Sequence, residues 1–167
     1  MTTVNAMNTR PITSADRQPL KRLLQVSSSV HRHLDWFEPE DWIGSQPFLA
    51  LEGYQWLSGV LACPPDPEKV AWIRLFAVAG NTPVQMVWSK LWPSVQAWGI
   101  GLDITVAAIP IHAWFREILV ASQFEYLTDV VLLSWDHYPL PTFPGKLPFT
   151  IRDMNLADIP AIHQVDI

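Results

Sequence analysis

Four sets of residues in this 167-residue chain are of types that do chemistry. His31 and His33 alternate with Asp35 and could offer a metal two imidazoles and a carboxylate. Alternate residues in a loop converge poorly without a fourth donor, so they read as surface histidines and no metal is assigned. Asp136-His137 stands at the end of an expected strand, where acid–base pairs occur, yet no serine or cysteine nucleophile is spaced to match it. Cys63 sits in an apolar stretch and reads as a core thiol. The carboxylates Glu52, Glu117 and Glu125 have no partner at fixed spacing and read as solvated surface. The fourth set is the turn at Gly80, where an apolar strand gives way to a helix behind Thr82-Pro83 whose first amides attract an anion weakly. A lone glycine there is an ordinary turn signal. Nine tryptophans could line a groove, but most are spaced to face a core, leaving Trp36, Trp42 and Trp135 as the exposed candidates.

These residues need elements to hold them. Residues 1–8 are polar and read as a flexible tail. Arg10-Pro11-Ile12 suits a short edge strand, and Thr13-Ser14-Ala15-Asp16 has the spacing of a capping box, so a helix should begin there with Leu20, Leu23 and Leu24 on its apolar face and end at Ser27-Ser28-Ser29. Residues 31–46 read as a helical turn and loop packed by Trp36, Phe37 and Trp42. Residues 47–52 and 55–63 form a hairpin about Gly53, and residues 70–78 a long third strand. Thr82 then serves as N-cap with Pro83 at the first helical position of a helix to Gly99, with a kink or early stop at Pro93. A strand at 102–109, a helix at 112–122 and a strand at 126–135 complete an α/β (α+β mixed) sheet with helices on both faces.

The composition narrows the classes. With 11 Lys+Arg against 16 Asp+Glu the net charge is −5, and no basic cluster is dense enough to track a phosphate backbone, which argues against nucleic acid. Hydrophobic residues make up 49%, enough for one core, and the longest apolar run is too short to span a bilayer, so no membrane partner is expected. One cysteine and no apolar stretch in MTTVNAMNTR lead us to expect a cytoplasmic protein.

Beyond a proline-rich linker at 137–148 the opening pattern returns. Setting Arg152 over Arg10, an offset of 152 − 10 = 142, brings Ala157 onto Ala15, Asp158 onto Asp16, Met154 onto Ile12, Ile162 onto Leu20 and Val165 onto Leu23. The expectation is a domain at 9–136 followed by the first strand and helix of a second, truncated one at 149–167.

The opening Arg-x-Ile-x-x-x-Asp (Arg10, Ile12, Asp16), the order of elements, the run Leu75-Phe76-Ala77-Val78 and the helix 113–123 closing on Phe124 resemble the GNAT superfamily of N-acetyltransferases over nearly all of residues 9–135. The resemblance implies a GNAT-like acyl-CoA N-acyltransferase fold with splayed central strands, and acetyl-CoA as cofactor of the full-length protein, with no metal. The acceptor would be a small-molecule or peptide amine, taken through the second domain, and a homodimer stays open. The resemblance places the family's cofactor loop, in degenerate form, at Val78, Gly80, Asn81, Thr82, Pro83, Val84 and Met86. Its small-residue positions fall near Pro83, Val84, Met86 and Trp88, where no glycine stands: the Val, Met and Trp side chains would occupy the space the phosphates need, Pro83 contributes no amide, and no basic residue lies between Val78 and Trp88. This domain is therefore expected to be cofactor-deficient. A tyrosine that often serves the family as general acid would fall on Leu119, and Tyr126 is displaced from that place, so no catalytic residue is assigned. Two readings result: the N-terminal part of a tandem acetyltransferase, or a non-catalytic GNAT-like binding or assembly module.

Overall fold

The computed structural model describes residues 8–53, 56–131 and 152–163. They fall into two units that divide between Val130 and Val131. The first runs β1 (Thr9–Pro11), a 3-10 turn at Ser14–Asp16, α1 (Arg17–Val26), β2 (Ser27–Arg32), a 3-10 turn at Pro39–Trp42, β3 (Phe48–Glu52), β4 (Leu57–Ala62), β5 (Val70–Trp72), β6 (Leu75–Ala79), α2 (Val84–Leu102), β7 (Thr105–Ala107) and α3 (Ala113–Ala121).

The opening forms as its spacing predicts. The Asp16 carboxylate accepts from the Thr13 amide at 2.8 Å and its hydroxyl at 2.9 Å, and from Arg10 through two nitrogens at 2.8 and 2.7 Å. The paired guanidinium holds the Asp16 carboxyl down at about 2. Arg10 Nε also donates to Glu52 at 2.6 Å, which ties β1 to β3 where the two strands pair. One arginine thus fixes the helix start, the edge strand and the hairpin together.

Five antiparallel strands form the main sheet in the order β1-β3-β4-β6-β2. The expected hairpin is present as β3 and β4, with the Gly53 amide bonded to the Trp56 carbonyl at 2.7 Å. Alternation sends Leu75 and Ala77 to the face covered by α1, and Phe76 and Val78 to the face covered by α2 and α3. A Cβ added at Gly59 would lie 2.4 Å from Val87 Cγ1, so α2 crosses β4 where no side chain intervenes.

Several sequence expectations are corrected. Ser27-Ser28-Ser29 does not merely end α1; it opens β2 (Ser27–Arg32), which takes His31 and Arg32 out of the expected loop and pairs with β6. The expected strand 70–78 breaks at Ile73-Arg74 into β5 and β6, and β5 joins β7 in a separate parallel pair. The expected strand 102–109 is reduced to Thr105–Ala107, because α2 passes Pro93 without stopping and continues to Leu102, ending with Asp103 at φ 55°. Residues 126–131 carry no strand, and residues 132–135 lie outside the described residues, as do the tail at 1–7 and the proline-rich stretch at 137–148.

The second unit repeats the opening motif. Arg152 bonds Asp158 through two nitrogens at 2.7 and 2.5 Å, and Asp158 accepts the Asn155 amide at 2.9 Å, with Asn155 standing where the first copy has Thr13. A 3-10 turn at Leu156–Asp158 and α4 (Ile159–His163) follow. Met154, Leu156 and Ile159 are exposed, and Val165 lies outside the described residues.

Candidate functional site

The strand-to-helix turn is built differently from its sequence reading. Val78 ends buried in β6, Ala79 pairs with Ser27, and the Thr82 amide returns to the Ala79 carbonyl at 2.9 Å. Thr82 is not the N-cap. Pro83 takes that position at φ −63°, ψ 128°, its carbonyl accepting from Met86 and Val87 at 3.1 and 3.3 Å, while the Thr82 hydroxyl pairs with Asn81 at 3.3 Å. No side chain caps α2, so the amides of Val84 and Gln85 begin the helix outside its ladder. A Cβ on Gly80 would lie 3.3 Å from the Val26 carbonyl and 3.9 Å from Ser28 Oγ, so the turn packs against the α1–β2 junction. Val84 and Met86 pack on the core half-buried. Trp88 does not obstruct the turn as expected. Its indole is buried, stacked on Trp92 at 5.1 Å, and donates to Ser122 Oγ at 2.7 Å. On its Gly80 side the turn lies against the chain's own Val26 carbonyl.

The edge of β6 is closed as well. Around Ile73-Arg74 the hydrogen bonding changes partner: the Ile73 amide donates to Ala107 at 2.8 Å beside β7, while the Arg74 carbonyl accepts from His33 at 2.9 Å beside β2. From there Leu75 to Ala79 pair with Arg32 to Ser27, through a register shift between Ser27 and Ser29. The expected divergence of β6 from the later strand is present, since β6 and β7 lie in different sheets. β2 occupies the edge of β6 that the divergence would leave open.

β2 also carries His31 inward, with His33 just beyond its end. His31 is 1% exposed, contrary to the surface reading, because β2 turns it beneath the joint. Its Nε2 donates to the Ile73 carbonyl at 3.1 Å, which fixes the tautomer, and its ring stacks on Phe115 at 4.0 Å. Nδ1 is then a buried acceptor without a partner, and burial pushes the ring's pKa down to about 4. His33 tilts on Trp72 at 5.0 Å with its Nδ1 unpaired, and burial and Arg74 lower its pKa. Arg74, 7% exposed, pairs with Asp35 at 2.8 Å and Asp66 at 3.2 Å and lies over the Trp42 ring at 4.6 Å, leaving Nε unpaired. His33, Asp35, Phe37, Glu38, Trp42 and Arg74 border a pocket of about 110 Å³. Among the described residues no three histidine, cysteine or acidic side chains are placed to hold a metal.

The remaining candidates do not converge. Leu119 is buried, Tyr126 is 68% exposed, Glu117 and Glu125 face solvent, and Glu52 is held by Arg10. Cys63 is buried, its thiol pushed up to about 12 and directed at the Ala71 carbonyl at 3.5 Å. Trp36 is fully exposed, Trp42 is half-covered by Arg74, and Trp56, which the spacing did not single out, is 60% exposed beside Arg22. Asp136, His137 and Trp135 lie outside the described residues.

No family matches the sequence, and no curated protein matches it. In three dimensions the chain is similar to AAC(6')-Iy in complex with the bisubstrate analogue CoA-S-monomethyl-acetylneamine, with a TM-score of 0.57 at 14% identity, over 77% of this chain and 97% of that one. The architecture is the GNAT-like acyl-CoA N-acyltransferase fold.

Proposed function

We propose that this chain is the N-terminal part of a tandem GNAT acetyltransferase. In this reading the whole protein transfers acetyl from acetyl-CoA to an amine, and residues 9–136 form a domain that does not itself bind the cofactor. The fold and its likeness to a protein seen with a CoA-derived analogue support the reaction class. The repeat of the Arg-Asp clamp at Arg152 and Asp158 supports the tandem arrangement. The observation that carries cofactor deficiency is the filled edge: β2 pairs with β6 from Leu75 to Ala79, where the divergence from β7 would otherwise leave a cleft, and Gly80 lies against the Val26 carbonyl. An oxygen must come within about 3 Å of the Val84 and Gln85 amides, and no basic residue in the turn offsets a pyrophosphate.

The test is calorimetry of the chain with acetyl-CoA. The expected result is no saturable heat at concentrations up to millimolar. Micromolar affinity that is lost on Gly80→Val overturns the claim for this domain. The second reading, a non-catalytic assembly module, is favoured by one feature, the exposed knuckle Leu34, Trp36 and Phe37, and acetyl transfer by the full tandem protein would dismiss it. The buried, unpaired Cys63 supports a reducing compartment, which we take to be the cytoplasm.

A further inference from the structure

We propose that β2 is a pH-sensitive strap: it leaves the edge of β6 as a unit on mild acidification, while the β1-β3-β4 part of the sheet stays folded. The first ground is where the structure is least satisfied. The three buried side-chain nitrogens without partners among the described residues are His31 Nδ1, His33 Nδ1 and Arg74 Nε, and all three lie along the line where β2 meets the β5–β6 joint. Buried polar groups are ordinarily paired, so this line carries a desolvation cost that the rest of the core does not.

The second ground is how lightly β2 is anchored. It is an edge strand that begins with three serines, its register slips between Ser27 and Ser29, and His31 is its one fully buried side chain. The segment that follows leaves Leu34, Trp36 and Phe37 exposed and is tied down by the Asp35–Arg74 pair, the His33 amide on the Arg74 carbonyl and the edge of Phe37 on Trp42. Such edges open locally at far lower cost than central strands.

The third ground is the trigger. The Ile73 carbonyl takes the Nε2 proton, so a second proton must land on Nδ1, where no acceptor waits. Among the described residues nothing offers it a counter-charge: α3 presents Phe115, His112 lies ahead of that helix, and His33 just beyond β2 adds to the repulsion. His33 faces Arg74, and Asp35, the carboxylate within reach, is already held by that arginine. Released, both rings return to ordinary solvent titration. The open strap therefore binds more protons than the closed one at pH between about 4 and 6.5, and acid favours opening. From His31 alone, going from pH 7.5 to pH 5 raises the opening equilibrium about thirtyfold. His33 adds in the same direction.

Hydrogen exchange of the chain at both pH values, corrected for the intrinsic rate, tests this. Amides of β2 and of the β6 edge should lose about thirtyfold protection at pH 5, while β3 and β4 keep theirs, and His31→Gln should remove most of the pH dependence. Equal loss in β3 and β4, unchanged protection in β2, or an undiminished pH dependence in His31→Gln would overturn it. An NMR titration of His31 in the unsubstituted chain keeps the test independent of how that variant folds. A ring titrating near its free value of about 6.5 would also overturn the proposal.

Discussion

Replacing Asp16 by Asn keeps the shape of the opening clamp and removes its charge. In the native chain Asp16 is 5% exposed and bonded twice by Arg10, and its carboxyl is held at about 2 against an ordinary 3.8. A difference of about 1.8 pH units corresponds to roughly 2.4 kcal/mol, and because the Arg10 side chain is a third exposed, solvent screening trims this to about 2 kcal/mol. The folded pKa is the lower one, so this stabilisation is fully present above about pH 4 and disappears as pH falls through 2. Urea unfolding of Asp16→Asn beside the unsubstituted chain should therefore show a gap of about 2 kcal/mol at pH 6 that closes towards pH 2. Any acid sensitivity from His31 is common to both proteins and cancels in the gap. Asp158→Asn serves as the internal control, since the same clamp there stands in solvent and its loss should leave the unfolding midpoint in place. A gap below about 0.5 kcal/mol, the worth of an ordinary surface pair, or one that does not narrow in acid, would refute the assignment of the helix start to the Arg10–Asp16 bond.

Two further outcomes follow from packing. Gly59→Ala places a methyl 2.4 Å from Val87 Cγ1 and 2.9 Å from the Ala77 carbonyl, so it should destabilise by about 1–3 kcal/mol in chemical denaturation. Ser122→Ala orphans the buried Trp88 indole N–H and should cost about 1–3 kcal/mol, whereas Ser122→Thr, which keeps the hydroxyl, should cost less by the same measurement.

Local signals in the sequence were legible where their partners were also local. The capping box at Thr13–Asp16, the hairpin about Gly53 and the apolar spacing of α2 depend on residues a few positions apart, and each formed as read. The recurrence of Arg and Asp 142 positions on was legible too, and the second clamp has the same bonding as the first. β2 was not legible, because serines have little strand preference and what makes Ser27–Arg32 a strand is β6, more than 40 residues away. The burial of His31 went unread for the same reason, although a histidine alternating with Val30 ahead of an aromatic cluster is consistent with strand pleating. The break at Ile73-Arg74 has a quieter signal, an arginine inside an otherwise apolar run, which is explained by its two carboxylate partners. Pro93 misled towards an early stop. It is exposed, and the packing of Leu91, Val95 and Gly99 carries α2 past the missing amide.

The placement of β1 and β2 at the two ends of the main sheet bears on what a neighbouring molecule would meet there. The inner strands β3, β4 and β6 are almost wholly buried and read FLALE, LSGVLA and LFAVA, segments of the kind that stack into fibrils when their backbones are uncovered. One end of the sheet is finished by three residues that include Pro11, which offers a neighbouring molecule no amide, and the other by a serine-rich strand with a slipped register and the exposed Arg32. Both are poor templates for another chain, which is how natural sheets discourage edge-to-edge growth. In a chain that is 49% hydrophobic, the two edge strands are thus what stand between the inner strands and a neighbouring molecule. Whatever loosens β2 uncovers β6, one of the stretches here most able to recruit a second molecule.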